Sequence, residues 1–312
     1  MRKLRVALVA GGRSDEREVS LKGAVGVEAA LNPELYEVIR YDPMTDLAAL
    51  ARDADQLDFA FILLHGLFGE DGTIQGMLDV LGVPYQGSGV QGSALAIDKN
   101  LAKELFVAAG LPVAPWLMAT TADVKDSSRL VETLRLPLVV KPVRQGSSIG
   151  MSIVREAHLL APALTKAFSH DHQVMVETYL HGRELTVGVL GNEELEPLPL
   201  VEIIPDSKYA FFDYEAKYVP GATREICPAE VAPTIAALAQ EYAVRAHRCL
   251  RLFGYSRTDF ILTEQGLHLL ETNTIPGMTP TSLLPQAAAA AGYPFAALLD
   301  RLIELGLELR GR

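Results

Sequence analysis

The chain has 312 residues, of which 49% are hydrophobic, 21% charged and 7% aromatic, and its formal net charge is -11. That is enough chain for a large core shared among two or three lobes, and the acidic balance argues against nucleic acid or an anionic membrane surface as partner, because both are bound by clustered Lys and Arg. Two cysteines, Cys227 and Cys249, form no C-x-x-C pair and read as thiols in a reducing compartment. The apolar run near the N-terminus is short and is followed by Gly11-Gly12-Arg13-Ser14-Asp15-Glu16-Arg17-Glu18, which is not a signal-peptide cleavage region. No apolar run approaches the ~20 residues of a membrane helix, so the expected location is cytoplasmic.

Residues 4–10 form a continuous apolar run ending in Gly11-Gly12, the pattern of a buried parallel strand entering a turn. A helical pattern covers residues 18–31 and stops at Asn32-Pro33. A second apolar strand, residues 58–64, runs into His65-Gly66. Strand, loop, helix, strand is the doubly wound α/β pattern, in which ligands sit beyond the strand C-termini. Gly11-Gly12 and His65-Gly66 are therefore candidate ligand loops. After Gly87-Ser88-Gly89, one long helix is predicted over residues 93–109, carrying Asp98-Lys99 and ended by Gly110. Residues 110–115 read as a linker. Residues 138–142 read as a strand, 146–150 as a small-residue loop and 151–154 as a return strand. Further strands are predicted at 174–177, 184–190, 200–204, 258–262 and 267–271, with a helix over 233–252. An α/β half is thus followed by an α+β half, with no internal repeat.

The most informative stretch is residues 257–273. Two apolar runs flank Glu264-Gln265-Gly266, which suits a three-residue hairpin loop pairing Thr263 with Leu267. Counting outward sets Asp259 opposite Glu271 and Arg257 opposite Asn273, and residues two apart share a strand face. Opposed residues have Cβ atoms ~4.5–5.5 Å apart. Two carboxylates that close repel unless a cation lies between them. A hard divalent metal resolves the conflict, since Mg²⁺ takes one or two carboxylates plus phosphate oxygens, and an arginine beside it is suited to charge developing on a carbonyl or phosphoryl oxygen. A merely solvated hairpin face would carry mixed polar residues such as Lys and Thr rather than this set.

Lys141 ends an apolar strand just before the loop Gly146-Ser147-Ser148-Ile149-Gly150. An ammonium there can meet phosphate as a point charge, and a small-residue loop lets backbone N–H groups approach closely. No Walker motif is present. The loop alone would pass for a flexible turn, but beside the hairpin it points to a nucleoside triphosphate; Lys99, alone on a helix, reads as a solvated surface residue.

Taken together, several segments resemble one family. They are Gly11-Gly12-Arg13-Ser14-Asp15-Glu16-Arg17-Glu18-Val19-Ser20, then His65-Gly66 with Gly69-Glu70-Asp71-Gly72-Thr73, then Pro84-Tyr85-Gln86-Gly87-Ser88-Gly89 and Asp98-Lys99. Lys141-Pro142, the 146–150 loop, Asp213-Tyr214-Glu215-Ala216-Lys217-Tyr218, Arg257-Thr258-Asp259 and Glu271-Thr272-Asn273-Thr274-Ile275-Pro276-Gly277 follow in the same order. The chain resembles the D-alanine–D-alanine ligases of the ATP-grasp superfamily from about residue 5 to 285. The resemblance implies a mixed α/β and α+β ATP-grasp fold with an N-terminal doubly wound parallel-sheet lobe. Its three lobes would be residues 1–95 holding the first D-alanine, 96–180 as the central lobe, and 181–312 as the C-terminal lobe with the metal site.

The same resemblance implies ATP as co-substrate and Mg²⁺, two ions per site and replaceable by Mn²⁺, at Asp259, Glu271 and Asn273. Lys99 and Lys141 would hold ATP phosphates and Lys217 the γ-phosphate. Glu177 and Leu180 would lie at the adenine and Glu184 at the ribose. Glu16 would bind the first D-alanine's ammonium in a polar network with Ser147 and Tyr218. Arg257 would stabilise the oxyanion, and Ser282 with the Gly277 backbone would receive the second D-alanine's carboxylate. His65 stays open between a structural loop residue and a substrate contact. Taken alone, Glu16 would read as a helix-dipole residue, Ser147 as loop filler and Tyr218 as a surface aromatic. The implied reaction is ligation of two D-alanines through an acyl phosphate for peptidoglycan precursors, by a homodimer. The alternatives are a ligase with D-lactate or D-serine as acceptor, or an ATP-binding regulator without catalysis. Tyr218 after Lys217 resembles the dipeptide-forming members.

Overall fold

The computed structural model describes residues 2–205 and 223–310. The first lobe is built on β1 (Leu4–Val9), α1 (Arg17–Ala30), β2 (Tyr36–Tyr41), α2 (Leu47–Asp53), β3 (Phe59–Ile62) and α3 (Thr73–Leu81). Its sheet is parallel in the order β2-β1-β3. Strand β1 is apolar throughout because both its faces are covered. Val6 and Leu8 pack with α1 and the C-terminal helices, while Ala7 and Val9 pack with Leu50, Ile74 and Leu78 on the other side. The order reverses between β1 and β3, so the loops after these two strands, including Gly11-Gly12 and His65-Gly66, open at one crevice.

Residues 93–109 do not form one helix. Two helices, α4 (Val90–Ile97) and α5 (Lys99–Ala108), are broken at Asp98, whose backbone is extended and whose carboxylate accepts the N–H groups of Asn100 and Leu101. A helix pattern continuous in hydrophobicity was interrupted by an aspartate better suited to capping than to a helix interior. The break makes Lys99 the first residue of α5.

The middle sheet comprises β4 (Trp116–Ala119), β5 (Leu138–Pro142), β6 (Ser152–Val154) and β7 (Val174–Thr178), in the order β4-β7-β5-β6. Helices α6 (Ser128–Leu134) and α7 (Leu160–Phe168) cover one face through Leu130, Leu160 and Leu164. The third sheet holds β8 (Arg183–Gly191), β9 (Glu196–Pro197), β10 (Val201–Pro205), β11 (Thr223–Ile226), β12 (Gly254–Thr263) and β13 (Gly266–Asn273). Helix α8 (Pro233–Cys249) and α5 pack on it through Ala239, Ala243, Ala246, Ala102 and Phe106. Helices α9 (Leu283–Ala290) and α10 (Phe295–Arg310) return to the first lobe and share its core.

The β12–β13 hairpin differs from the count made on the sequence. Thr263 pairs with Gly266, so the loop has one residue fewer than expected. A register shift between Asp259 and Phe260 then absorbs the difference, with Phe260 opposite Leu269 and Asp259 opposite Glu271, and Leu270 is the extra residue of a β-bulge. The expected pairs Asp259–Glu271 and Arg257–Asn273 are present.

His247 on α8 is buried, with Nδ1 2.8 Å from Ser256 Oγ on β12. Burial pushes its imidazole down to about 4. The unfolded chain, with an ordinary histidine, binds the proton more readily, so this contribution to stability is complete above pH ~6.5 and is lost as pH falls towards 4. Its full size is on the order of 3 kcal/mol. Urea midpoints measured at pH 7.5 and pH 5 should fall with acidity, and His247→Gln should flatten that fall; an unchanged pH slope in the variant would remove His247 as its source.

Candidate active site

One cleft lies between the middle and third sheets. Lys99, Lys141, Gln145, the 146–150 loop, Glu177, Leu180, Glu184, Asp259 and Glu271 line it, with Val139, Ile153, Ile261 and Leu270 as apolar wall. A smaller pocket continues from it past Lys99, Gly146 and Glu271 to Asn273, Gly66 and Glu70 of the first lobe. The structure thus brings together most of the residues that the sequence scattered over 260 positions. Lys217 and Tyr218 lie outside the described residues.

On the hairpin, Arg257 donates to both oxygens of Asp259, Nε at 2.8 Å and Nη2 at 2.7 Å. Thr186 Oγ1 donates to Asp259 Oδ1 at 2.6 Å, and Asn273 Nδ2 to Oδ2 at 3.1 Å. The opposing carboxylate, Glu271, has Lys99 Nζ 3.2 Å from Oε2. Among the described residues no three His, Cys, Asp or Glu side chains converge as a metal cage. The available set, two carboxylates and an amide facing a cleft rich in cations, fits Mg²⁺ of the kind whose coordination is completed by phosphate oxygens.

Lys141 reaches from β5 into the cleft, and its Nζ is 2.5 Å from Glu177 Oε1. The other oxygen of Glu177 takes Lys103 Nζ, also at 2.5 Å. Although Glu177 is buried, which disfavours its charge, the two ammoniums win and hold its carboxyl down to about 2. Glu177 therefore reaches the cleft with each oxygen paired to a lysine. Leu180 and Glu184 do line the same end of the cleft.

The 146–150 loop carries left-handed backbone at Ser147 (φ 48°) and Ser148 (φ 58°), a conformation that costs energy for residues with a Cβ. Lys99 Nζ fixes the loop's entry by donating to Gln145 O at 2.8 Å. Ser147 Oγ donates to Glu16 Oε1 across the lobe boundary. A Cβ on Gly146 would lie 2.5 Å from Glu16 Oε2, so only glycine permits this approach.

Glu16 is buried just before α1. His65 is buried beside it; desolvation lowers its pKa, opposed by the field of Glu16 and reinforced by that of Arg257. Glu70 accepts the N–H groups of Gly66 at 2.8 Å and Ile275 at 3.1 Å. Desolvation, with the charge of Glu16, pushes Glu70 up to about 8. Gly277 and Ser282 meet at the start of α9, where a Cβ on Gly277 would lie 3.2 Å from Ser282 Oγ. Ser282 Oγ also accepts the N–H of Thr279 at 3.1 Å. Neither residue lines the two cavities.

Residues 105–304 match the family described as D-ala D-ala ligase C-terminus, and residues 42–88 match D-ala D-ala ligase N-terminus. A D-alanine--D-alanine ligase of Desulfotalea psychrophila is 61% identical over 98% of this chain and 96% of its own. The chain belongs to the D-alanine–D-alanine ligase family. Among solved structures, the Bacillus anthracis D-alanine--D-alanine ligase complexed with ATP has a TM-score of 0.86 at 31% identity, covering 98% of each chain. A D-Ala:D-Ser ligase from Enterococcus faecalis has a TM-score of 0.83 at 31% identity, covering 98% of this chain and all of its own. These likenesses agree with the ATP-grasp fold expected from the sequence.

Three contributors to the ligase-family cleft escaped the sequence reading: Lys103, Glu70 and Thr186. Lys103 stands one helical turn after Lys99, a spacing that sets both on one face of α5. Glu70 stood in the Gly69-Glu70-Asp71-Gly72 segment without a role, its link to Ile275 being distant, and Thr186 acts through partners distant in sequence and leaves no local signal. Because Lys99 joins Glu271 to the loop entry, Lys99→Ala should increase proteolytic cleavage within residues 145–150 while leaving the melting temperature nearly unchanged; cleavage equal to that of the unaltered protein would remove Lys99 as the clamp.

Proposed function

We propose that this protein joins two D-alanine molecules into D-alanyl-D-alanine, forming ADP and phosphate, for peptidoglycan precursor synthesis. The observation that carries the reading is the continuity of one cleft, which runs from the lysines, the hairpin carboxylates and Ser147, the partner of Glu16, on to Gly66 and Glu70.

A carboxylate is a poor electrophile, so activation comes first. A carboxylate oxygen of the first D-alanine attacks the γ-phosphorus of ATP in line, the bond to the bridging oxygen breaks, and ADP and an acyl phosphate result. Lys99 and Lys141 would hold the phosphates as point charges, with N–H groups of the 146–150 loop around them. Mg²⁺ held by Asp259, Glu271 and Asn273 would supply neutralisation of phosphate charge. Glu16, steadied by Ser147, would receive the first D-alanine's ammonium. The second D-alanine, its carboxylate directed to Ser282 and the Gly277 N–H, would enter as the free amine, its proton left in solvent, and attack the acyl carbon. The tetrahedral oxyanion would form near Arg257, then collapse with loss of phosphate. Water must stay out, or the acyl phosphate hydrolyses.

The reaction is tested by following phosphate release from ATP with D-alanine, L-alanine, or D-alanine plus D-lactate or D-serine, with products identified by mass. Release with D-alanine and formation of the D,D-dipeptide is expected; release with a mixed product alone would replace the acceptor, and ATP binding without release would favour a regulator. Arg257→Ala should lower kcat by a factor of about 100 or more with little change in nucleotide affinity, the range for losing one oxyanion donor. Equal losses in both would move Arg257 out of the transition state. Gly146→Ala should displace the Glu16 carboxylate, raising the KM for D-alanine severalfold while the Kd for ATP stays put; the reverse pattern would sever Gly146 from the amino-acid end.

A further inference from the structure

Lys103 has no part in the reaction as drawn, yet it is among the largest fully buried side chains in the molecule. Its Nζ donates to Ala114 O at 3.1 Å and to Glu177 Oε2 at 2.5 Å, and lies 5.2 Å from the Trp116 ring centroid. Trp116 and Glu177 are direct neighbours on β4 and β7, so this helix-borne ammonium is seated on the middle sheet next to the carboxylate it pairs with. Glu177 holds Lys141 with its other oxygen; both line the cleft and Lys103 does not, and Lys141 is the more accessible cation, its side chain 10% exposed against 0% for Lys103.

Three charges in one chain of contacts, plus, minus, plus, leave a net positive charge whose accessible end is Lys141. Were Glu177 paired with Lys141 alone, the pair would be neutral and would offer a phosphate little field. Were Glu177 absent, a flexible four-carbon stem would carry the ammonium without a fixed position. A buried lysine is costly unless its partners are well placed, and an apolar side chain at 103 would tie α5 to Trp116 without that cost. We propose that Lys103 is a positioning residue that serves as counter-charge to Glu177, so that Glu177 fixes Lys141 without cancelling the charge Lys141 presents to the nucleotide's phosphates. This rests on the reading that Lys141 meets those phosphates.

The test is isothermal titration of the full chain, with Mg²⁺ present, using ATP, ADP and adenosine as separate ligands, alongside melting temperatures. For Lys103→Met the Kd for ATP should rise about tenfold, as expected for loss of one poorly screened charge, with a smaller rise for ADP and a change within about twofold for adenosine. Lys103→Met/Glu177→Gln should recover most of the lost ATP affinity, because Lys141 then keeps an uncharged hydrogen-bond partner and its own charge. If Lys103 only ties the helix to the sheet, all three ligands lose affinity alike and the double variant does no better than the single; either result overturns the proposal. Should Lys103→Met not fold, Lys103→Gln keeps a donor for the Ala114 carbonyl without the charge and is read in the same way. Failure of the unaltered protein to bind ATP would overturn the nucleotide reading itself, a result separate from any variant.

Discussion

Two carboxylates, Asp259 and Glu271, stand opposite each other across the β12–β13 hairpin, and much of the cleft is arranged around keeping both there. Like charges directly opposed on a strand pair destabilise it. The conflict is met by Arg257, Thr186 and Asn273 on Asp259 and by Lys99 on Glu271. Lys99 reaches Glu271 from the first turn of α5, which Asp98 caps. The same ammonium holds the carbonyl of Gln145, which sets the entry to the glycine loop, and Ser147 of that loop reaches Glu16. A local electrostatic problem on one hairpin thus links elements of all three sheets.

The chain is acidic overall, yet its cleft pairs its acids with cations. Lys99 and Lys141 line it among the carboxylates of Asp259, Glu271, Glu177 and Glu184, and Lys103 is buried behind Glu177. Arg257 holds Asp259 and also acts on His65 and Glu70. Desolvation strengthens these pairings, because charges in a dry site act over longer range than in water. Burial and the charge of Glu16 push the Glu70 carboxyl up, the direction that eases repulsion where two acids approach.

How far the sequence reveals this depends on whether a residue's partner is near or far along the chain. The hairpin faces were legible because strand periodicity is local, but the agreement at Asp259–Glu271 came from two compensating differences: a loop one residue shorter and a bulge at Leu270. Nothing in the pattern Leu269-Leu270-Glu271 announces a bulge. The parallel first sheet was legible in the unbroken apolar run of β1, whereas the break at Asp98 was hidden by hydrophobic spacing that continues through it. Lys103 was illegible for a different reason. A lysine on an amphipathic helix ordinarily faces water, and only the three-dimensional approach of β7 turns it into a buried ion. Glu177 lines the cleft, but its two lysine partners were not legible, since they lie 74 and 36 residues away.

The account stands on the carboxylate of one D-alanine being phosphorylated before the peptide bond forms. The most direct measurement is isotope transfer: D-alanine labelled with ¹⁸O in its carboxylate is incubated with the protein, ATP and Mg²⁺, and the released phosphate is analysed by mass. One labelled oxygen should pass from the amino acid into the phosphate for each peptide bond made. Dipeptide formed with unlabelled phosphate would contradict the acyl phosphate and the arrangement of the cleft built upon it.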